Sequence, residues 1–252
     1  MILIKTEKEI ASMRRGGKIL ASIMSEIGMA ISPGINTKEL DKLAEKLVFA
    51  NGGEAVFKGF GGPRNPYPAT ICASINSEIV HGIPNEKTII KKGDLVKIDI
   101  GMRYEGMVTD MARTFEVKDV SPLAHKLAKV TREALDKGIK ALKPGAYLSE
   151  YSIVIESYVR SFGFTPARDL VGHGVGRELH EDPQIPNYKW QAKDIVLKEG
   201  MTLALEPMIN VGTGKIKAMS DGWVYATEDG QLSAHFEDTV LIRKGGCEIL
   251  TR

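Results

Sequence analysis

Cysteine is nearly absent from this chain: Cys72 and Cys247 are its two thiols in 252 residues. Two cysteines cannot build a disulfide framework, which excludes the small stapled scaffolds of secreted proteins and fits a reducing compartment. Charge of one sign is also missing. The 34 lysines and arginines stand against 32 aspartates and glutamates, a formal net charge of +2. That balance gives no argument for nucleic acid or an anionic membrane as the main partner. Long apolar runs are lacking too. The opening MILIKTEKEIASMRRGGKIL mixes charges throughout, unlike a secretory signal. No stretch approaches the roughly 20 apolar residues of a membrane-spanning helix. A cytoplasmic protein with no membrane partner is expected.

What is present describes a globular chain, 43% hydrophobic and 26% charged, long enough for a substantial core. Thr6 with Glu9 has capping-box spacing, and a broken apolar stripe through Ile10, Met13, Ile19 and Ile23 predicts a helix from about Glu7 to Met29. Asn36 with Glu39 opens a second helix, which Gly52-Gly53 stops. Gly59 to Pro68 is too rich in glycine and proline for regular structure and reads as an ordered loop. Ser121-Pro122 starts a third helix, and a fourth runs through Ile153, Ile155 and Val159 to Gly163.

The second half repeats the order of the first. Gly93 to Asp99 and Gly200 to Glu206 each place a carboxylate six residues after a glycine in a strand pattern, and each follows a His-Gly pair, His81-Gly82 or His173-Gly174. With no linker-like composition between them, the halves (about 1–115 and 116–252) are expected to form a single pseudo-symmetric α+β domain spanning 1–252.

The chemistry is announced by misplaced acids. Glu206 interrupts the apolar run TLALEPMI, and no lysine or arginine lies between Lys198 and Lys215. An ionised carboxylate is costly to bury unless it is paired or bound to metal. In KIDIGMRYEGMVTDMARTF, a hairpin centred between Tyr104 and Glu105 would set Asp99 directly opposite Asp110. Taken alone this hairpin is equally well a solvated polar face, since Lys97 shares the parity of Asp99. On either side of the Asp229-Gly230 turn, Trp223–Ala226 and Ser233–Ile242 read as strands, the second carrying Glu237.

Four strand carboxylates about one point cannot all stay ionised without cations, so either their pKa values rise or metal fills the space. His173, in VGHGVGRELHEDP, supplies a nitrogen donor. An oxygen-rich set with one imidazole suits two divalent ions such as Mn, Fe or Co, with Zn also admitted. Such a pair activates a shared water.

HGIP at His81–Pro84, Asp99 and Asp110 eleven apart, GHGVGRELHEDP, LALEPM and AHFEDT together resemble the type I methionine aminopeptidases along essentially the whole chain. The resemblance implies the duplicated pita-bread fold and removal of N-terminal methionine from nascent chains whose second residue is small. It also implies roles. Asp99 would bind one metal and His173 the other, Asp110 and Glu237 would bridge, and Glu206 would bind and also move a proton. His81 and His180 would contact substrate, and Phe60, Tyr67, Cys72, Leu179 and Trp223 would form the methionine slot. A monomer, with a transient ribosome contact among the implied partners, is expected. His235 and Asp238 depart from the Gln and His frequent beside the Glu237 position, and Leu179 from a frequent aromatic. The 32 residues between His173 and Glu206 leave no room for the helical insertion of type II relatives. A proline-specific dipeptidase and a catalytically dead, peptide-binding relative are the rival readings.

Overall fold

The computed structural model describes residues 2–190 and 194–252. Helices α1 (Glu7–Ala30) and α2 (Thr37–Ala50) are followed by strands β1 (Glu54–Ala55), β2 (Cys72–Ile75), β3 (Glu78–Val80), β4 (Leu95–Tyr104) and β5 (Met107–Glu116). Helices α3 (Pro122–Ala141) and α4 (Ser149–Ser161) precede β6 (Thr165–Pro166), β7 (Val171–Gly174), β8 (Glu181–Pro186) and β9 (Thr202–Leu205). The chain then runs through β10 (Met208–Asn210), β11 (Ile216–Ala218), β12 (Tyr225–Thr227), β13 (Ser233–His235), β14 (Glu237–Arg243) and β15 (Gly246–Ile249).

The helices begin where their caps dictate. Thr6 and Asn36 each accept the N–H of the residue three on, and Glu9 and Glu39 reach back to the cap N–H, so both capping boxes close. The Ser121 side chain caps α3, with Pro122 at its first position.

The main sheet is antiparallel and curled into a half-barrel, in the order β1-β4-β5-β14-β9-β7-β8, with β2 on β4 and β15 on β14. Its two faces follow from strand alternation. Along β4, Val96, Ile98, Ile100 and Met102 pack with Leu20, Ile23 and Ile27 of α1 and Leu40 and Ala44 of α2. Along β14, Val240 and Ile242 pack with Leu127, Leu135 and Tyr151 of α3 and α4. The helices therefore cover one face, and residues of opposite parity, Asp99 and Glu237 among them, emerge on the other.

Several expectations change. The β4–β5 turn is Glu105-Gly106, with φ of 48° and 79°, so Tyr104 pairs with Met107 and Asp99 faces Ala112, not Asp110. Two left-handed residues make the tight turn that matches strand twist, and glycine takes that conformation freely. Asp99 and Asp110 become diagonal neighbours on one face. Lys97 is buried rather than solvated: its Nζ donates to the Asn76 carbonyl (2.8 Å), and burial pushes its pKa down to about 7. Glu206 does not sit within a strand but in the break between β9 and β10, which belong to different sheets. Likewise Ser233–Ile242 divides at Phe236. The Asp229-Gly230 turn forms, yet β12 pairs with β11 and β3, whereas β13 pairs with β10.

Candidate metal centre and its pocket

Strand register builds the centre. Cys72 pairs with Asp99, Asp99 with Ala112, and Ala112 with Glu237, so one row crosses β2, β4, β5 and β14. Ala112 between the two acids leaves space above the sheet. Asp110 lies one pleat along on β5. His173 on β7 pairs with Ala204, two residues before Glu206. Five side chains from four strands and one strand break thus point to a single volume.

The distances agree. Donor atoms of Asp110, His173 and Glu237 lie within 4.8 Å of one another, as do those of Glu206, His235 and Glu237, so Glu237 belongs to both groups. His173 Nε2 is 3.6 Å from Glu206 Oε1 and 4.0 Å from Asp110 Oδ2. Its Nδ1–H donates to the Gly174 carbonyl (2.9 Å). That bond fixes the tautomer and leaves the Nε2 lone pair facing the acids.

Asp99 Oδ1, Asp110 Oδ1 and Glu237 Oε1 are buried without a hydrogen-bond partner. Among the described residues no lysine or arginine pairs with any of the four carboxylates. Burial, and then repulsion from Asp110 and Glu206, drives Asp99 well above the ordinary carboxylate range. Glu237 is raised by burial and by Asp110, Glu206 and Asp99, Glu206 by burial and Asp110, and burial raises Asp110 to about 7. Burial holds His173 down at about 3 and His81 at about 4, so both imidazoles are neutral near pH 7. Orphaned acid oxygens, neutral imidazole and no local cation are a donor set that fits divalent metal.

Beside this nest lies a cavity that opens to the surface. All twelve side chains singled out in the sequence line it: Asp99, Asp110, His173, Glu206 and Glu237; His81 and His180; and Phe60, Tyr67, Cys72, Leu179 and Trp223. Tyr67 is held by its hydroxyl, which donates to the Gly82 carbonyl (2.8 Å), and it stacks edge-on with Trp223 at 5.2 Å. His180 contacts Phe60 (5.0 Å between ring centres) and His173 (4.4 Å) edge-on. His81 takes φ of 61°, a left-handed strain of the kind concentrated at functional sites.

Two residues escaped sequence reading. Phe57 also lines the cavity, and nothing in VFKGF distinguishes it from core. His235, noted only as a departure, is buried with both ring nitrogens unpartnered, its Nε2 3.4 Å from Glu206 Oε2. Its position two before Glu237 was the available signal, since residues of one parity tend to share a face. Asp238, by contrast, points away from the cavity. Its carboxylate accepts from Arg113 Nη2 (2.7 Å), Thr251 Oγ1 (3.2 Å) and Arg252 Nε (3.0 Å). Arg113 also donates to the Glu237 carbonyl, so this departure braces the backbone of a cage residue.

The profile of metallopeptidase family M24 matches residues 11–244. The chain belongs to that family. Among similar M24 proteins, the methionine aminopeptidase of Clostridium acetobutylicum is 44% identical over 251 residues, covering 100% of this chain and 99% of the relative. Methionine aminopeptidase 1 of Bacillus subtilis is 45% identical over 252 residues, the full length of both. The crystal structure of the Thermotoga maritima methionine aminopeptidase superposes with a TM-score of 0.96 at 44% identity, covering 100% of each chain. The Pyrococcus horikoshii prolidase shares the fold at a TM-score of 0.80 and 26% identity, and this chain covers 64% of it. The pita-bread architecture is common to these M24 structures.

Proposed function

We propose that this M24 metallopeptidase removes the N-terminal methionine of nascent chains, with a small second residue preferred. The observation that carries the reading is the cation-free nest of buried acids opening on an apolar slot. Full-length relatives that are methionine aminopeptidases support it. Asp99, Asp110, His173, Glu206 and Glu237 would hold two divalent ions (Co, Mn or Fe, with Zn admitted by the same donors). When bound, the ions supply Lewis-acid polarisation of the peptide carbonyl and acidify water to near-neutral pKa.

The remaining work belongs to side chains. The nest end of the cavity would receive the substrate's free α-amino group, which limits cleavage to the first peptide bond. Glu206, at the strand break, takes the proton released when water attacks and passes it to the leaving amine. His81 and His180, the former neutral near pH 7, donate hydrogen bonds to the scissile carbonyl or the departing nitrogen. Phe57, Phe60, Tyr67, Cys72, Leu179 and Trp223 wall the slot, where a thioether packs well against aromatic edges. The catalytic unit is read as one domain of two related halves, because Asp99 and Glu206 stand on either side of the central β5–β14 pair.

Among the described residues no helix is long and apolar enough to cross a membrane, in keeping with a cytoplasmic site of action. A monomer that touches the ribosome transiently and binds neither specific nucleic acid nor membrane completes the proposal. The test is release of methionine from Met-Ala-Ser against hydrolysis of a Xaa-Pro dipeptide, with and without chelator. Metal-dependent cleavage of the tripeptide alone is expected. Preference for the dipeptide, or activity that survives chelation, overturns the assignment.

A further inference from the structure

Lys5 has no place in the chemistry above, yet it is buried. It lies just before α1, where its N–H donates to the Gly200 carbonyl (2.9 Å). Its ammonium meets the carboxylate of Glu181, with the two side chains 1% and 5% exposed. Glu181 is the residue after His180. Its other oxygen accepts the backbone N–H groups of Arg177 (2.6 Å) and Glu178 (3.2 Å). One carboxylate therefore closes the 177–181 turn, and a lysine 176 residues away in sequence fixes that carboxylate. Gly176 makes the approach feasible, since a Cβ there would stand 2.3 Å from Lys5 Cε. From outside, Arg177 Nε donates to Glu9 of α1 (2.6 Å) and Arg103 Nη1 to the Arg177 carbonyl (2.8 Å).

The turn held this way carries Leu179 and His180 into the cavity. A buried ion pair contributes little net stability, because the cost of stripping water from both charges offsets their attraction. What it does supply is a fixed place for the groups around it. We propose that Lys5 and Glu181 are positioning residues, whose buried pair sets His180 and Leu179 against the substrate. The proposal rests on the aminopeptidase reading. The four cage acids sit on strands and a strand break that this pair does not touch; of the ligands only His173 is near it, on β7 where Gly174 pairs with Glu181, and its own Nδ1 bond to the Gly174 carbonyl holds that ring.

Three variants test this: Lys5→Met, Glu181→Gln and the double Lys5→Met/Glu181→Gln, each metal-loaded. A displacement of His180 by about 1 Å lowers kcat by roughly 100-fold, with KM moving far less. Manganese affinity by calorimetry stays at the wild-type value, and hydrogen exchange at the Arg177 and Glu178 amides accelerates. Either single variant leaves a buried charge alone and can lose Tm. The double variant removes both charges, and it regains Tm without regaining kcat. The proposal is overturned if kcat returns together with Tm, if metal affinity falls in step with kcat, or if the single variants keep wild-type kcat. Should the wild-type protein release no methionine, the aminopeptidase reading fails separately, and the amide exchange alone decides whether Lys5 holds the turn.

Discussion

Stripping metal from the acidic nest should make the stability of the protein fall as pH rises. Asp110, when buried without a cation, is raised from 3.8 to about 7. A native state that binds more protons than the unfolded chain gives a negative slope of unfolding free energy against pH. The penalty is absent below the unfolded pKa near 4, grows through the interval, and is complete above the folded value near 7. For Asp110 alone the interval corresponds to ~4 kcal/mol. Asp99, Glu206 and Glu237 shift the same way and extend the loss to higher pH. Against a total stability of about 5–15 kcal/mol, this is large, and for a chain of this size it corresponds to a Tm drop of about 8–16 °C. The assay is calorimetric unfolding of chelated protein between pH 5 and 8, repeated with manganese. Excess metal should restore stability, by about 4 kcal/mol at a thousandfold of its dissociation constant. A chelated protein whose Tm is flat or rising over that range would mean that the acids are neutralised by something else, and the metal argument would fall.

Two further outcomes follow from the site's surroundings. His235→Ala removes an unpartnered imidazole 3.4 Å from Glu206 and should weaken metal binding by about 10–100-fold, while His235→Gln, which keeps a donor, should retain most of it; metal titration of both variants checks this. Asp238→Ala leaves Arg113 and Arg252 without their buried acceptor and should destabilise the fold by about 3–5 kcal/mol, measured by denaturant unfolding of the metal-loaded protein.

Local rules governed what could be read in advance. The caps at Thr6, Asn36 and Ser121 depend on residues three apart, and all close as their spacing requires. Glu206 and Glu237 were legible because each breaks an apolar strand pattern without a nearby cation, whereas Asp99 and Asp110, with Lys97 on the same face, became legible only beside them. The resemblance then assigned the pocket residues, which line one cavity despite a glycine- and proline-rich loop bearing Phe60 and Tyr67.

The sequence by itself marked acids that stand in need of a cation and where the helices begin, because a stranded charge and a capping spacing are properties of a few consecutive residues. Only the tertiary structure decided which atoms meet. One residue of slip at the Glu105-Gly106 turn changes what faces Asp99, and that turn is selected by strand twist. Lys97 is buried, and Asp238 turns from the cavity toward arginines, because neighbours remote in sequence set their burial. The Lys5–Glu181 pair joins positions 176 residues apart. No local pattern records such a contact, since its energy exists only after the chain has closed around it.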